Sequence, residues 1–292
     1  SIQAVPSPGN EAKIVASLVR RAREAMNEFS DADQARVDEA VTALAWSIYE
    51  PARARELAES AVADTGLGNV DSKIIKNQRK TFGCLRDLMR VKTVGVIEDD
   101  KAKGIVKYAK PVGVVAAIAP STNPAATPVN KAMMALKGRN AVVIAPSPAG
   151  ASTTTRTVDY MRAELKKIGL PADLVQVLPQ PVNKALTQSL MEAADLVVVT
   201  GSQNNVRRAY SSGTPAIGVG AGNVSVIIDS TADLKVAAEK ITMSKIFDNS
   251  TSCSSENQLI VLEDIYDDAI QELKKAGGYM TTAVEKEKIK NT

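Results

Sequence analysis

Histidine is absent from this chain of 292 residues, and cysteine occurs only twice, as Cys84 and Cys253. Without histidine the chain cannot form a Ser-His-Asp triad, a Cys-His dyad or a His-ligated zinc site. Two cysteines far apart in sequence form neither a CxxC site nor a disulfide framework, which favours a reducing, cytoplasmic location. We therefore expect no metal site, and any chemistry must use cysteine, lysine, carboxylates, backbone amides or a cofactor.

Aromatic residues are also scarce, at 3% of the chain, so the core must be built from alanine, valine, leucine and isoleucine. Such a core suits helices packed on a parallel sheet. No apolar run approaches the roughly 18 residues of a membrane-spanning helix. The net charge is only +3, and lysine and arginine form no basic run. These absences argue against a membrane partner and against a nucleic-acid partner.

The first 90 or so residues have helical patterns. Apolar residues recur at helical spacing within residues 37–48, and Ser30 is the predicted N-cap of that helix. A second helical pattern ends at Gly66. A third contains Cys84, which we interpret as a packed or half-buried helix thiol.

The pattern changes to strands after residue 92. A hairpin is predicted over residues 92–109, and "VGVVAAIAP" is typical of a buried parallel strand. Four strand–helix pairs follow, with the strands in "NAVVIAP", "DLVQVLP", "DLVVVTGS" and "NVSVIIDS". This alternation predicts an α/β fold with a doubly wound, Rossmann-like parallel sheet behind N-terminal helices. Ligands of such sheets bind at the carboxyl ends of the strands, which here are "APSTN", "APSPAG" and "TGSQNN".

No GxGxxG motif follows any of these strands. The nearest match, "GVGAGN" at 218–223, precedes a predicted strand instead of opening a helix. A tight structural loop is at least as good an interpretation of it as a ligand contact. The fold therefore suggests a nucleotide site, but no fingerprint identifies one.

Several motifs, in their order, resemble the aldehyde dehydrogenase superfamily and its CoA-acylating branch. They are "PVGVVAAIAPSTNPAATP", "ALKGRNAVVIAPSPAG", "LVVVTGS", "AYSSGTPAIGVGAGN" and "FDNSTSCSSE", and the resemblance covers essentially the whole chain. It implies an NAD(P)-binding domain over residues 1–222, with the hairpin as an oligomerisation arm. Residues 223–292 are expected to begin a catalytic domain that continues beyond them, in a homodimer or homotetramer.

The resemblance implies that Cys253 is the catalytic nucleophile. Its thiolate would add to an aldehyde, and hydride transfer to the nicotinamide would leave a thioester on the enzyme. Asn123 matches the residue whose side-chain amide stabilises the oxyanion. The alternatives are a small buried hydrophobe at Cys253 and a turn or helix-cap residue at Asn123, before Pro124.

The segment between Asp195 and Asp229 contains no aspartate or glutamate. Hydrolytic family members carry a water-activating glutamate in the part that matches "GVGAGN", where this chain has Val219. An apolar side chain cannot take a proton from water, so the resemblance implies release of the thioester by coenzyme A. Glu256 is a possible substitute base, although a structural role suits it better.

The resemblance also implies contacts with an NAD or NADP cofactor. NAD-preferring hydrolytic members place lysine and glutamate where this chain has Ser147 and Pro148. Without that carboxylate, the 2′-phosphate of NADP meets no repulsion, and Ser147, Ser152 or Thr153 could donate to it, which favours NADP. The expected cofactor-binding residues are Pro120, Ser121, Thr122, Ser147, Pro148, Gly201, Ser202 and Gly220.

The aldehyde is the least constrained part of the interpretation. The segments "PSTNPAATPVNKAMMALKGRN" and "NSTSCSSEN" are most similar to members that act on sulfoacetaldehyde, with acetaldehyde and succinate semialdehyde as alternatives. Arg207 and Arg208 are candidates for binding a sulfonate, but helix surfaces often carry such pairs. Two further alternatives stay open, a hydrolytic aldehyde dehydrogenase and a non-catalytic nucleotide-binding scaffold.

Overall fold

The computed structural model describes residues 9–220 and 222–291. It divides into two compact units, residues 1–221 and residues 222–292. The division falls one residue before the expected domain boundary. Among the described residues, no helix combines the length and the apolar character that a membrane crossing requires.

Five helices form the N-terminal part of the first unit, and a π-helical turn over Lys76–Lys80 joins the last two. They are α1 (Asn10–Phe29), α2 (Gln34–Tyr49), α3 (Pro51–Thr65), α4 (Val70–Ile75) and α5 (Thr81–Met89). Helix α3 ends at Gly66, in left-handed geometry with φ 65°, as the sequence predicts.

The predicted N-cap of α2 is wrong. The Asp33 carboxylate accepts a hydrogen bond from the Arg36 N–H at 2.8 Å and caps the helix. The Ser30 hydroxyl instead donates to the Asn27 carbonyl, because α1 continues as far as Phe29. Serine and aspartate are both good N-caps, and the length of the preceding helix decides between them.

The hairpin is confirmed. It consists of antiparallel strands β1 (Val96–Asp100) and β2 (Ile105–Tyr108). Gly104 has a φ of 65° in the turn between them, in the left-handed region that glycine adopts without strain.

A five-stranded parallel sheet forms the centre of the first unit, with a helix after each of its first four strands. In chain order the elements are β3 (Val114–Ile118), α6 (Ala126–Lys137), β4 (Ala141–Ala145), α7 (Ala151–Lys167), β5 (Val175–Val177), α8 (Lys184–Ala193), β6 (Leu196–Thr200), α9 (Gln203–Tyr210) and β7 (Ala216–Val219). The strand order is β5-β4-β3-β6-β7, which confirms the doubly wound fold. The strand order reverses between β3 and β6, which is the switch point where such folds bind ligands.

The core covers both faces of this sheet. Every residue of β3 and β4 is buried. Helix α2 packs on α6 and α7, and α1 packs on α8 and β4. Burial on both faces is the reason why the central strands are continuous apolar runs.

The fourth predicted strand–helix pair does not belong to this sheet. The fifth strand is β7, whose last two residues overlap the segment 218–223 that the sequence suggested as a loop, and it pairs with β6. The "NVSVIIDS" strand lies in the second unit, in a two-stranded parallel sheet. The second unit contains β8 (Val224–Ile228), α10 (Leu234–Ile246), β9 (Glu256–Val261), α11 (Tyr266–Lys275) and α12 (Ala283–Lys290). The four residues of β7 include Gly218, which weakens the local strand pattern.

Candidate functional site

Three polar loops lie at the carboxyl edge of the five-stranded sheet. They are residues 119–123 after β3, residues 146–150 after β4, and residues 201–202 after β6. Parallel strands end at one edge, so the loops and the starts of α8 and α9 border a cleft of about 600 Å³. The residues that line this cleft are Ile118, Ala119, Pro146, Ser147, Pro148, Val182, Asn183, Lys184, Thr187, Ser202, Asn204, Asn205, Arg207 and Arg208.

Asn123 ends the loop after β3 and is half-buried. Within residues 9–220 and 222–291, its side-chain amide has no hydrogen-bond partner. Ala125, not Asn123, is the N-cap of α6, and no side chain caps that helix. The cap interpretation of Asn123 is therefore wrong, and its amide is available to a ligand.

Polar side chains from two other helices hold this loop and the proline that follows it. The Lys73 ammonium of α4 donates to the Thr122 carbonyl at 3.2 Å. The Thr154 hydroxyl of α7 donates to the Pro124 carbonyl at 2.8 Å. Pro120, Ser121 and Thr122 belong to this loop, but they are not among the residues that line the cleft. The sequence did not indicate the two supporting hydrogen bonds, because their donors come from distant segments.

Lys131 of α6 is buried beneath the switch point. Its ammonium donates to the carbonyls of Ile118 at 2.6 Å and Val198 at 2.8 Å. These carbonyls belong to β3 and β6, so one side chain joins the two strands where the strand order reverses. Sequence reasoning missed it, although a lysine on a mostly apolar helix face was a usable signal.

We expect Lys131→Met to remove a pH dependence of stability. Burial lowers the pKa of Lys131 from 10.5 to about 7. Between about pH 7 and pH 10, the unfolded chain therefore binds a proton that the folded chain does not. The free energy of unfolding rises with pH in this window, by at most about 1.4 kcal/mol per pH unit, and the contribution is constant below it. Urea unfolding of the full-length parent and variant at about pH 7, 8 and 9 measures the difference.

Lys13→Met is the matched control, because Lys13 is an exposed lysine on α1. In the Lys13→Met control, the free energy of unfolding should change with pH as it does in the parent. If the stability of Lys131→Met changes with pH in parallel with that of the parent, Lys131 does not titrate in this window.

The loop after β4 differs from its prediction in one respect. The Ser147 hydroxyl oxygen accepts a hydrogen bond from the Gly150 N–H at 3.3 Å, which leaves its own O–H proton for a ligand. The Ser152 and Thr153 hydroxyls, predicted as possible donors to a 2′-phosphate, instead donate to the Asp64 carboxylate of α3 at 2.5 and 2.7 Å. Burial alone would raise the pKa of Asp64, but the hydrogen bonds from Ser152 and Thr153 hold it below its ordinary value. These two hydroxyls are therefore not available to a ligand.

The remaining predicted cofactor residues lie at the ends of β6 and β7. The Ser202 hydroxyl accepts from the Asn205 N–H at 3.3 Å and caps α9. The Gly201 N–H donates to the Val219 carbonyl at 3.2 Å, so this donor is used within the sheet. A Cβ on Gly220 would lie 2.3 Å from Gln203 Oε1, which supports the tight-loop interpretation at that position.

Cys253 lies in the second unit, in the loop before β9, and is exposed. The interpretation of Cys253 as a buried hydrophobe is therefore wrong. Three consecutive residues before this loop, Asp248, Asn249 and Ser250, have φ angles of 50°, 52° and 62°. Left-handed backbone at non-glycine residues is uncommon and concentrates at functional loops. The Thr251 hydroxyl stabilises this turn by donating to the Asp248 carboxylate at 2.7 Å.

Cys84 lies in α5, half-buried against the core, as the sequence predicts. Burial raises the pKa of its thiol, and the nearby Asp87 carboxylate raises it further. Because the thiolate is the reactive form, Cys84 should be the less reactive of the two cysteines.

We expect iodoacetamide to alkylate Cys253 at least about tenfold faster than Cys84 near pH 8. The reason is that Cys253 is exposed, whereas Cys84 is half-buried with a raised pKa. Peptide mass spectrometry of the full-length protein during a time course measures both rates. The Cys84→Ser variant should keep the fast phase and the Cys253→Ser variant should lose it, whereas equal rates at the two sites would contradict this expectation.

The sequence drew attention to two further positions where a water-activating base could stand, those of Val219 and Glu256. Val219 ends β7, and its side chain is 53% exposed and apolar. Glu256 begins β9, and its Oε2 is buried without a hydrogen-bond partner among the described residues. Val219 cannot act as a base, and Glu256 has a place in the sheet of the second unit.

A model of the aldehyde dehydrogenase family matches residues 4–287 of the chain. Among curated proteins, the acylating sulfoacetaldehyde dehydrogenase of Cupriavidus necator is 60% identical over 278 residues. That alignment covers 95% of this chain and 56% of the relative, so the chain spans just over half of the relative's length.

Solved structures agree with this match. The acetylating aldehyde dehydrogenase of Geobacillus thermoglucosidasius superposes with a TM-score of 0.89 at 37% identity, over 96% of this chain and 62% of that chain. The propionaldehyde dehydrogenase of Rhodopseudomonas palustris, solved with bound CoA and an acylated cysteine, superposes with a TM-score of 0.78 at 28% identity, over 93% of this chain and 61% of that chain.

Proposed function

Because the chain belongs to the aldehyde dehydrogenase family, we propose that the whole protein is a CoA-acylating aldehyde dehydrogenase. It oxidises an aldehyde with NAD(P)⁺ and coenzyme A to an acyl-CoA. In this proposal residues 1–222 bind the cofactor and residues 223–292 begin the catalytic domain. The observation that carries the acylating assignment is the segment between Asp195 and Asp229, which has Val219 but no carboxylate.

The proposed reaction begins at Cys253. Its thiolate attacks the aldehyde carbon, and the Asn123 amide donates a hydrogen bond to the oxygen that becomes negative. The nicotinamide supplies the oxidation by accepting a hydride when the cofactor is bound. The former aldehyde carbon is then at the oxidation level of a carboxylic acid, as a thioester on Cys253. The exposure of Cys253 and the unbonded amide of Asn123 support these roles.

The way in which the product is released follows from the absence of a carboxylate at the position of Val219. Water is a weak nucleophile unless a base removes its proton, and Val219 cannot do so. The thiolate of coenzyme A attacks the thioester carbonyl, the Cys253 thiolate leaves, and an acyl-CoA forms. The exchange of one thioester for another costs little free energy, so it needs a well-placed thiol more than it needs a strong base.

The residues at the carboxyl edge fit a dinucleotide. A cleft of about 600 Å³ has room for an adenosine group, and its lining includes Ser147, Ser202 and several amide side chains. The loop after β3 lies at the switch point, where the phosphates of a dinucleotide bind in folds of this type. We propose NADP in preference to NAD, because the described lining of the cleft contains no carboxylate to repel a 2′-phosphate.

We propose sulfoacetaldehyde as the aldehyde, with acetaldehyde and succinate semialdehyde as alternatives. The 60% identity to the Cupriavidus necator protein supports this choice. Arg207 and Arg208, which the sequence suggested for a sulfonate, instead line the nucleotide cleft. We therefore do not propose Arg207 and Arg208 as the residues that bind a sulfonate.

Sustained turnover in the presence and absence of coenzyme A tests the proposed function. Full-length protein with sulfoacetaldehyde and NADP should reduce the cofactor continuously only when coenzyme A is present. Without it, a burst of about one equivalent should be followed by slow turnover, because the thioester persists. Equal turnover without coenzyme A would reject the acylating mechanism. CoA-dependent turnover only with acetaldehyde or succinate semialdehyde would keep the mechanism and replace the substrate.

We also propose that the protein is a homodimer or homotetramer in which the hairpin takes part in the interface. Its strands expose Ile97, Ile105, Val106 and Tyr108, each at 45% or more. Apolar side chains on a two-stranded sheet are typical of a surface that another subunit covers. Light scattering of the full-length protein, with the Ile105→Lys and Val106→Lys variants, tests this proposal.

A further inference from the structure

The nucleotide cleft has a strongly basic rim. Lys184 is the first residue of α8, Arg207 and Arg208 lie in α9, and all three line the cleft. Among the described residues that line it, there is no aspartate or glutamate. Three positive charges without a balancing carboxylate make this cleft suited to an anionic group.

The three cations have different roles. Arg208 is half-buried, and its guanidinium donates to the Gln188 side chain at 3.1 Å and to the Lys184 carbonyl at 2.7 Å. It therefore fixes the start of α8 against α9. The side chains of Lys184 and Arg207 are exposed, and within the described part of the chain they have no hydrogen-bond or ion-pair partner.

The position of the cleft indicates which anionic group it takes. In a doubly wound fold the pyrophosphate of a dinucleotide binds near the loop after the first strand, which is β3 here. The loop after the second strand, β4, faces the ribose of the adenosine. Ser147 belongs to that second loop, and it lines the same cleft as Lys184 and Arg207.

We propose that Lys184 and Arg207 bind a phosphate ester on the adenosine ribose, with the Ser147 hydroxyl as a further donor. Two ligands of the proposed function carry this group, NADP on its 2′-oxygen and coenzyme A on its 3′-oxygen. The inference rests on the proposed function only for the choice of these two ligands. The phosphate replaces the solvent that these cations now face, and the bonds are charge-assisted hydrogen bonds.

Binding of three small nucleotides tests this inference without turnover. Titration calorimetry of the full-length protein compares 2′,5′-ADP, 3′,5′-ADP and 5′-AMP, which differ only in the ribose phosphate. At least one of the two bisphosphates should bind about tenfold or more tightly than 5′-AMP. Lys184→Ala and Arg207→Ala should each remove about tenfold of that preference and leave 5′-AMP binding unchanged. The matched controls are Lys13→Ala and Arg90→Ala, which alter exposed cations outside the cleft.

The outcomes separate the possible sources of the phosphate. A preference for 2′,5′-ADP alone assigns the site to NADP, and one for 3′,5′-ADP alone assigns it to coenzyme A. Equal affinity for 5′-AMP and both bisphosphates would overturn the inference. An equal loss of affinity for all three nucleotides in the variants would also overturn it. If the bisphosphate preference is found but turnover does not need coenzyme A, the proposed function fails and the phosphate site stands.

Discussion

Cys253→Ser should lower CoA-dependent cofactor reduction by the full-length protein by about 10³-fold or more. A serine hydroxyl is a much weaker nucleophile than a thiol unless an adjacent general base removes its proton. A cysteine thiol, by contrast, carries an appreciable thiolate fraction near neutral pH. Steady-state kinetics with saturating aldehyde, NADP and coenzyme A measure the loss.

Cys84→Ser is the matched control for this experiment, since Cys84 lies in α5 and takes no part in the proposed chemistry. It should retain turnover within about twofold of the parent. Cys253→Ser should still bind NADP with the affinity of the parent, which shows that the fold is intact. Turnover in Cys253→Ser within about tenfold of the parent would require a different nucleophile.

Asn123→Ala should lower kcat by about 10²- to 10³-fold and change the KM for aldehyde much less. The negative charge on oxygen develops only in the transition state, so an amide that donates to it affects kcat more than ground-state binding. Such a loss corresponds to about 3 to 4 kcal/mol of transition-state stabilisation.

Two controls separate this role from a structural one. Asn27→Ala, at an exposed position on α1, should have the activity of the parent. In Asn123→Ala itself, iodoacetamide should alkylate Cys253 at the rate of the parent, because that reaction forms no oxyanion. A kcat within about threefold of the parent, or a loss that appears only in KM, would remove Asn123 from the proposed mechanism.

The central sheet was predictable because its strands carry their own signal. Residues of β3 and β4 are buried on both faces, so each is an uninterrupted apolar run between turn residues. Strand β7 was not predictable in this way. It is short and contains Gly218, and it is a strand because β6 offers it a partner. Strand β8, with a stronger local pattern, pairs with β9 instead.

The candidate site was predictable for the loops and less so for the groups that surround them. Residues 119–123, 146–150 and 201–202 follow directly from the ends of predicted strands. The donors Ser152 and Thr153 were misjudged, because the carboxylate that occupies Ser152 lies 88 residues away in the chain. Lys184 was not recognised as a cleft residue for the same reason, since Arg207 and Arg208, which line the same cleft, belong to another helix.

By itself the sequence determined which reactive groups these 292 residues can contribute. It has two cysteines, no histidine, and no carboxylate between Asp195 and Asp229, and these facts hold for every fold the chain could adopt. The tertiary structure alone decided which polar groups are still free to act. In the fold the Ser152 hydroxyl donates to the Asp64 carboxylate, whereas the Asn123 amide has no hydrogen-bond partner among the described residues. The physical reason is that hydrogen-bond partners are supplied by segments far apart in the chain, and only folding brings those segments together.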